Sequence, residues 1–264
     1  MKKRQIFPLW SFGAEVPEPE ITDLTEWVAA RRNYPCDLGT YKVERSLVEQ
    51  AEVDMPCYGG MYYRVRIISA LQNVSEGFLR GEPALDYGML LQDVISARKM
   101  HRDVRLCLPS PLSLGIEDGY YGDYDDFLGA LCHLYQKLMR ELRDNGIRKC
   151  IIIGERFSSI ELEELISGKS FFFSPESTSR VLSSILEVQD MVAVPVQRLA
   201  HLLELVNTYE IRRAALIDAC PEDFENALDA FDVEQLIAGG YSKGARRDYW
   251  NELKKKAYVE IDYF

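Results

Sequence analysis

The segment from Val104 to Arg156 constrains the fold more than any other part of the chain. A short apolar run at Val104 breaks into Pro109-Ser110-Pro111, and a helical pattern then runs from Tyr124 to Asn145 and stops at Gly146. A second apolar run, Cys150 to Ile153, ends abruptly at Gly154-Glu155-Arg156. The order is strand, loop, helix, strand, with polar residues where each strand stops. In parallel α/β proteins the chemistry sits at such strand ends. The unit therefore fixes the face to search, though not the reaction.

The same alternation extends along the chain. Ile6 to Trp10 reads as a first strand ending in Ser11-Phe12-Gly13, and Val53 to Cys57 as a second, followed by Tyr58-Gly59-Gly60. The stretch Met61 to Leu79 fits a helix or a hairpin. Asp86 to Met100, Ser159 to Ile166, Pro175 to Val188, Leu199 to Val206 and Ala245 to Lys256 carry helical apolar faces. Further strands are expected at Met191 to Val194, Ala214 to Ile217, Leu236 to Ala238 and Tyr258 to Tyr263. About eight strands alternating with helices predict a (β/α)₈ TIM barrel in a single domain spanning residues 1–264. On this count the chain ends on its last strand and lacks the closing helix. An open doubly wound sheet is the alternative, but the first βα turn has no GxGxxG.

Composition removes several classes of function. A net charge of -11 disfavours a nucleic-acid or anionic-membrane surface. No apolar run approaches the ~20 residues needed to cross a bilayer, and Pro8 interrupts the short apolar stretch at the N-terminus, so the expected location is the cytoplasm. The six cysteines, Cys36, Cys57, Cys107, Cys132, Cys150 and Cys220, show no zinc-type spacing. Cys107, Cys132 and Cys150 fall in apolar runs and read as buried thiols. Cys36, Cys57 and Cys220 fall near expected loops and are the candidates for reactivity.

Taken in order, these elements resemble the C-terminal barrel of cobalamin-independent methionine synthase, within the superfamily that also holds uroporphyrinogen decarboxylase. Trp10-Ser11-Phe12 is similar to the family's Gly-Ser-Phe-Pro, and DMPCYGGM at Asp54 to Met61 stands in place of its Asp-Gly-Glu segment. LPSPL at Leu108 to Leu112 resembles its Thr-Gly-Pro turn. GIRKCIIIGERF at Gly146 to Phe157 resembles its Gly-Ile-x-x-Ile-Gln-Ile-Asp-Glu-Pro. LIDA at Leu216 to Ala219 and IAGGYS at Ile237 to Ser242 resemble the following strand ends. The resemblance implies transfer of a methyl group from a methyl-folate to zinc-bound homocysteine. It also implies zinc ligands from His-x-Cys on strand five, Glu on strand six and Cys on strand eight. The matching positions here are Val194-Pro195-Val196, Asp218 and a final strand without cysteine. Three protein ligands are the norm for catalytic zinc, so no zinc is expected. Both carboxylates of the Asp-Gly-Glu segment are also missing. The expectation is a divergent homologue with a changed or absent methyl transfer.

Ser11, Tyr58, Ser110, Glu155, Arg156, Asp218 and Tyr241 follow six different strands and form the expected ligand site. Glu155 and Asp218 are the candidate catalytic residues. Plainer roles compete: Glu155 can pair with Arg156, Asp218 can cap the helix starting at Pro221, and Ser110 can serve its turn. Tyr120 and Tyr121 belong to a run, GYYGDYDD, that suits a solvated helix start better than a metal loop. Three functions fit: a small-molecule binder or methyl-transfer-related enzyme, a non-catalytic homologue that binds a partner protein or itself, and a barrel hydrolase using Glu155 and Asp218. An inverting glycosidase would hold that pair more than ~6 Å apart.

Overall fold

The computed structural model describes residues 2–31, 37–166, 170–244 and 247–262. Cys36 and Tyr263 lie outside them. Eight parallel strands form the centre: β1 (Leu9–Glu15), β2 (Cys57–Gly59), β3 (Arg105–Pro109), β4 (Cys150–Ile153), β5 (Ser170–Phe173), β6 (Met191–Pro195), β7 (Arg213–Ile217) and β8 (Leu236–Lys243). They make two four-stranded sheets, in the orders β2-β3-β4-β5 and β6-β7-β8-β1.

Period-two alternation sorts their side chains. Phe12, Cys57, Cys107, Ile151, Ile153, Phe173, Ala193, Ala215, Ile217, Ile237 and Tyr241, drawn from all eight strands, share one buried interior cluster. Their strand neighbours Leu106, Leu108, Ile152 and Phe172 face a layer of helices, as do Val192, Val194, Ala214 and Leu216 on the other half. A shared interior fed by every strand makes the arrangement barrel-like.

The two seams between the sheets are held differently. At β1 and β2, Trp10 bridges Met55, and the Ser11 amide donates to the Met55 carbonyl at 3.0 Å. At β5 and β6 the Gln189 side chain stands in for a strand. Its Oε1 accepts from the Phe172 amide at 2.8 Å, and its Nε2 donates to the Phe172 and Met191 carbonyls at 3.1 and 2.6 Å.

The structure corrects the strand count. Ser170–Phe173, unassigned from sequence, is the fifth parallel strand. Tyr258–Asp262 is a strand, but it pairs antiparallel with Lys2–Ile6, apart from the eight. The eighth parallel strand, β8, is followed by the helix Arg247–Lys256, so the closing helix judged missing is present. Pro8 divides the expected first strand. It cannot donate to a ladder, and the chain resumes as β1, which runs on to Glu15.

Between β2 and β3 the ambiguous stretch forms both expected structures. The helix Arg64–Ala70 leads into an antiparallel hairpin of Leu71–Ser75 and Phe78–Leu85. Its turn has Glu76 and Gly77 at positive φ, the conformation favoured in two-residue hairpins. The early helices are Ile21–Ala29, Leu38–Val48 and Gly88–Met100, the last starting close to its expected place at Asp86. Asp23 lies in the first turn of its helix. Asp37 caps the second helix by accepting from the Thr40 amide at 2.7 Å. Among the described residues, no helix is long and apolar enough to cross a membrane.

Burial decides which thiols react. Cys57 lies in a strand rather than a loop and is fully buried, which corrects its candidacy. Burial pushes the Cys57, Cys132 and Cys150 thiols up to about 12 and raises the Cys107 thiol well above its ordinary range. Cys220 is half-buried. In a Cys36→Ser background, an aromatic disulfide reagent is expected to label Cys220 in the folded state and the four buried thiols only in denaturant. Fast labelling that persists in the Cys36→Ser/Cys220→Ser protein would contradict this.

Candidate functional site

The carboxyl ends of β1, β7 and β8 and the helix Arg247–Lys256 bring four polar side chains together. Tyr241, on the interior face of β8, donates its hydroxyl to Glu15 at the end of β1. Its backbone amide donates to the Tyr249 hydroxyl at 2.8 Å, and Tyr249 donates in turn to Asp218 at the end of β7. The result is a continuous chain, Glu15 to Tyr241 to Tyr249 to Asp218. The Tyr241 ring is fixed edge-on against Phe173, 5.7 Å between centroids.

The environment shapes these groups. Burial, then the Glu15 charge, push the Tyr241 hydroxyl up, and burial with the Asp218 charge does the same to Tyr249. Both tyrosines therefore stay protonated donors. Asp218 is exposed as a residue, but the carboxyl end held by Tyr249 is partly desolvated. That desolvation raises its pKa above the ordinary aspartate range, while the Tyr249 hydrogen bond and the Lys243 charge pull it back. Asp218 also has φ +63, a left-handed conformation that costs most residues energy and that aspartate tolerates better. Strain beside a desolvated carboxylate at a strand end motivates a functional assignment.

The expected site residues divide. Asp218 and Tyr241 belong to this constellation. Ser11 lies within β1 rather than after it and is fully buried; its hydroxyl accepts from the Gly13 amide at 3.3 Å. Tyr58 faces the helix layer, edge-on to Tyr63, so it does not line the mouth. Ser110 serves its turn: its hydroxyl meets that of Ser113 at 2.9 Å. Glu155 and Arg156 are exposed after β4. Among the described residues, no ion pair joins them to each other. Tyr120 and Tyr121 sit on a loop tied by Asp118, which accepts from both their amides at 2.9 Å.

Glu15, Tyr249 and Lys243 were missed from sequence, as was Glu161. Glu161 links the loops after β3 and β4 by accepting from the Leu112 amide at 2.8 Å and the Ser158 amide at 2.9 Å. Only Glu161 carried a local signal, the Ser-x-x-Glu capping box at Ser158.

The residues present do not fit the zinc ligand set that the resemblance implies. The corrected strand count moves the expected positions to the ends of β5, β6 and β8, and none holds a histidine or cysteine. Among the described residues, no three His, Cys, Asp or Glu side chains gather as a metal site.

Comparison with known proteins agrees on the fold. A B12-independent methionine synthase from Shewanella sp. W3-18-1, solved in complex with selenomethionine, superposes with a TM-score of 0.64. It is 14% identical, and the match covers 96% of this chain and 97% of that one. The two chains share a fold. A spore cortex-lytic enzyme from Bacillus cereus matches at TM-score 0.45 and 7% identity, covering 96% of this chain and 75% of that one. A glycerophosphodiester phosphodiesterase from Parabacteroides distasonis matches at 0.37 and 12% identity, over 67% of this chain and 66% of that one. No family model and no curated protein sequence matches the chain.

Proposed function

We propose that the chain is a closed (β/α)₈ barrel of the methionine-synthase kind that binds a small amino-acid-like molecule at its C-terminal mouth and does not run zinc-dependent homocysteine methylation. The observation that carries this reading is the chain of Glu15, Tyr241, Tyr249 and Asp218 across three neighbouring strand ends. Each carboxylate keeps lone pairs beyond those its tyrosine occupies. Two carboxylates set by buried hydroxyls suit an ammonium or hydroxyl donor on the ligand. The fold likeness to a protein solved with selenomethionine supports the ligand class. The absence of His and Cys at the expected positions removes the route by which zinc would activate a thiol.

The test is calorimetric titration with a panel of the protein amino acids and selenomethionine. At least one is expected to bind saturably, with Glu15→Gln and Asp218→Asn each weakening it about tenfold or more. Asp218→Asn should not lower thermal stability at neutral pH. Asparagine accepts the left-handed conformation, and a carboxyl whose folded pKa is raised makes the native state less stable as pH rises through that pKa. The wild type should therefore lose stability relative to the variant on going from about pH 4 to neutrality. Saturable binding by none of the panel, or binding unaffected by both substitutions, would overturn the proposal.

A further inference from the structure

A cavity of about 1070 Å³ lies at the opposite end of the strands. Residues at the starts of β3 to β7 line it, including Arg105, Ile151, Phe171 and Met191, with Trp10 of β1. This is the mouth that barrel enzymes ordinarily leave to stability rather than chemistry. The volume is of the order that holds a small organic molecule.

Arg105 is what distinguishes this end. It is 6% exposed, and its Nη2 donates to the Ser11 carbonyl at 2.6 Å and the Met55 carbonyl at 3.4 Å. Its guanidinium carbon lies 4.9 Å from the Trp10 ring centroid and 5.3 Å from that of Phe12. Those contacts tie the β1–β2 seam, but they leave the charge unmatched. Among the described residues, the buried Nε–H has no partner and Nη1 makes no hydrogen bond. The titratable groups that act on it are the thiols of Cys57 and Cys107, both held neutral by burial. A guanidinium stays protonated even where burial opposes it, and a buried charge without a counter-ion is costly.

The surroundings narrow the class of anion. Beside Arg105 the walls are apolar and aromatic: Trp10, Ile151, Phe171 and Met191. Further out stand the carboxylates Glu187, Glu210, Asp232 and Glu234 and the cations Lys149 and Arg213. Asp190 is paired there with Arg212 at 3.0 Å. The rim carboxylates outnumber the rim cations, which disfavours a dianion more than a monoanion, while an apolar wall rewards a hydrophobic body.

We infer that the N-terminal mouth of the barrel is a binding site for a small apolar or aromatic monocarboxylate, whose carboxylate meets the Arg105 guanidinium and whose body lies against Trp10, Phe171 and Met191.

Benzoate is the probe, with benzamide as its neutral isostere and inorganic phosphate as the dianionic competitor. In wild-type protein carrying ¹⁵N-labelled arginine, benzoate is expected to shift the Arg105 Nε–H resonance saturably and to quench Trp10 fluorescence. Benzamide should do neither, and phosphate should bind more weakly than benzoate. Arg105→Gln, which keeps a donor for Ser11 but removes the charge, should weaken benzoate about thirtyfold or more. If that variant does not fold, the wild-type arginine spectrum decides alone. No saturable shift with benzoate, or equal binding of benzamide, would overturn the inference, and tighter binding of phosphate would overturn the monocarboxylate class. Glu15→Gln and Asp218→Asn act at the other mouth and should leave benzoate binding unchanged, so failure at one mouth is separable from failure at the other.

Discussion

Arg66→Met is expected to lower the free energy of unfolding by about 3–5 kcal/mol, a large share of the stability of an ordinary domain. Arg66 lies on the helix Arg64–Ala70 and joins two carboxylates. It grips Asp37 with Nη1 and Nη2, both at 2.6 Å. It meets Asp93 with Nε at 2.8 Å and Nη2 at 3.1 Å. Asp93 is fully buried and also accepts from Thr40 at 3.0 Å and Tyr63 at 2.9 Å. The cluster thus fastens the helices Leu38–Val48, Arg64–Ala70 and Gly88–Met100 over β2 and β3. Burial raises the Asp93 pKa and Arg66 opposes that rise. Removing Arg66 leaves a buried carboxylate uncompensated, so it must take up a proton or remain charged at high cost. With the folded pKa raised further, the deficit should be smallest below the unfolded aspartate pKa of about 3.9 and should grow as pH rises through the folded value. Arg66→Met/Asp93→Asn should recover much of the loss. Urea unfolding of the three proteins from pH 4 to 8 checks this. A loss under about 1 kcal/mol, or no recovery in the double variant, would show that the cluster is not what fastens the helices.

The sequence showed some of this architecture and hid the rest for identifiable reasons. The unit of β3, the helix Tyr124–Asp144 and β4 was legible because each element carries a complete signal. β4 is apolar throughout and β3 is apolar after Arg105, the helix has Asp123 at its cap, and Gly146 follows it at φ +101. β5 was not legible. Four residues, SFFF, offer too short a run to separate a strand from part of a loop. The error at Tyr258–Asp262 is different in kind. Its alternation correctly marks a strand, but a period of two says nothing about which strand it will pair with. One missed strand and one misplaced strand cancelled, so the count of eight survived while the assignments after β4 shifted.

The candidate site was legible in proportion to its locality. Asp218 and Tyr241 were found because each sits where an apolar run stops. Their partners were not, because Tyr241 meets Glu15 across 226 residues and Asp218 meets Tyr249 across 31. Glu15 was also hidden by the reading that ended the first strand at Trp10. Gly13, at φ +105 inside β1, looks in sequence like the turn after a strand. Arg105 shows the converse. A lone arginine opening an apolar run has no local signature of a binding group. Only the structure shows that, among the described residues, no carboxylate pairs with it and that aromatic rings flank it.

Gly60→Ala is expected to cost about 3–6 kcal/mol, combining backbone strain with steric overlap. Gly60 follows β2 at φ +136, a region largely closed to residues with a Cβ. A Cβ built there would lie 2.2 Å from the Ala14 carbonyl oxygen of β1, well inside van der Waals contact. Ala14 is buried backbone in a paired strand, so relief requires β1 and β2 to separate. Their junction is a seam without a regular ladder, held by Trp10 and Met55 and by Arg105. The strain therefore falls on one of the two seams that join the sheets, close to Glu15. Gly77 supplies the internal control. It also has positive φ, at +82, but a Cβ there would meet nothing within 4 Å. Gly77→Ala should therefore show the conformational cost alone, about 1–2 kcal/mol. Denaturant unfolding of both variants separates the terms. If Gly60→Ala costs no more than Gly77→Ala, the close approach of β1 and β2 is wrong, and with it the seam on which the geometry of the Glu15 end depends.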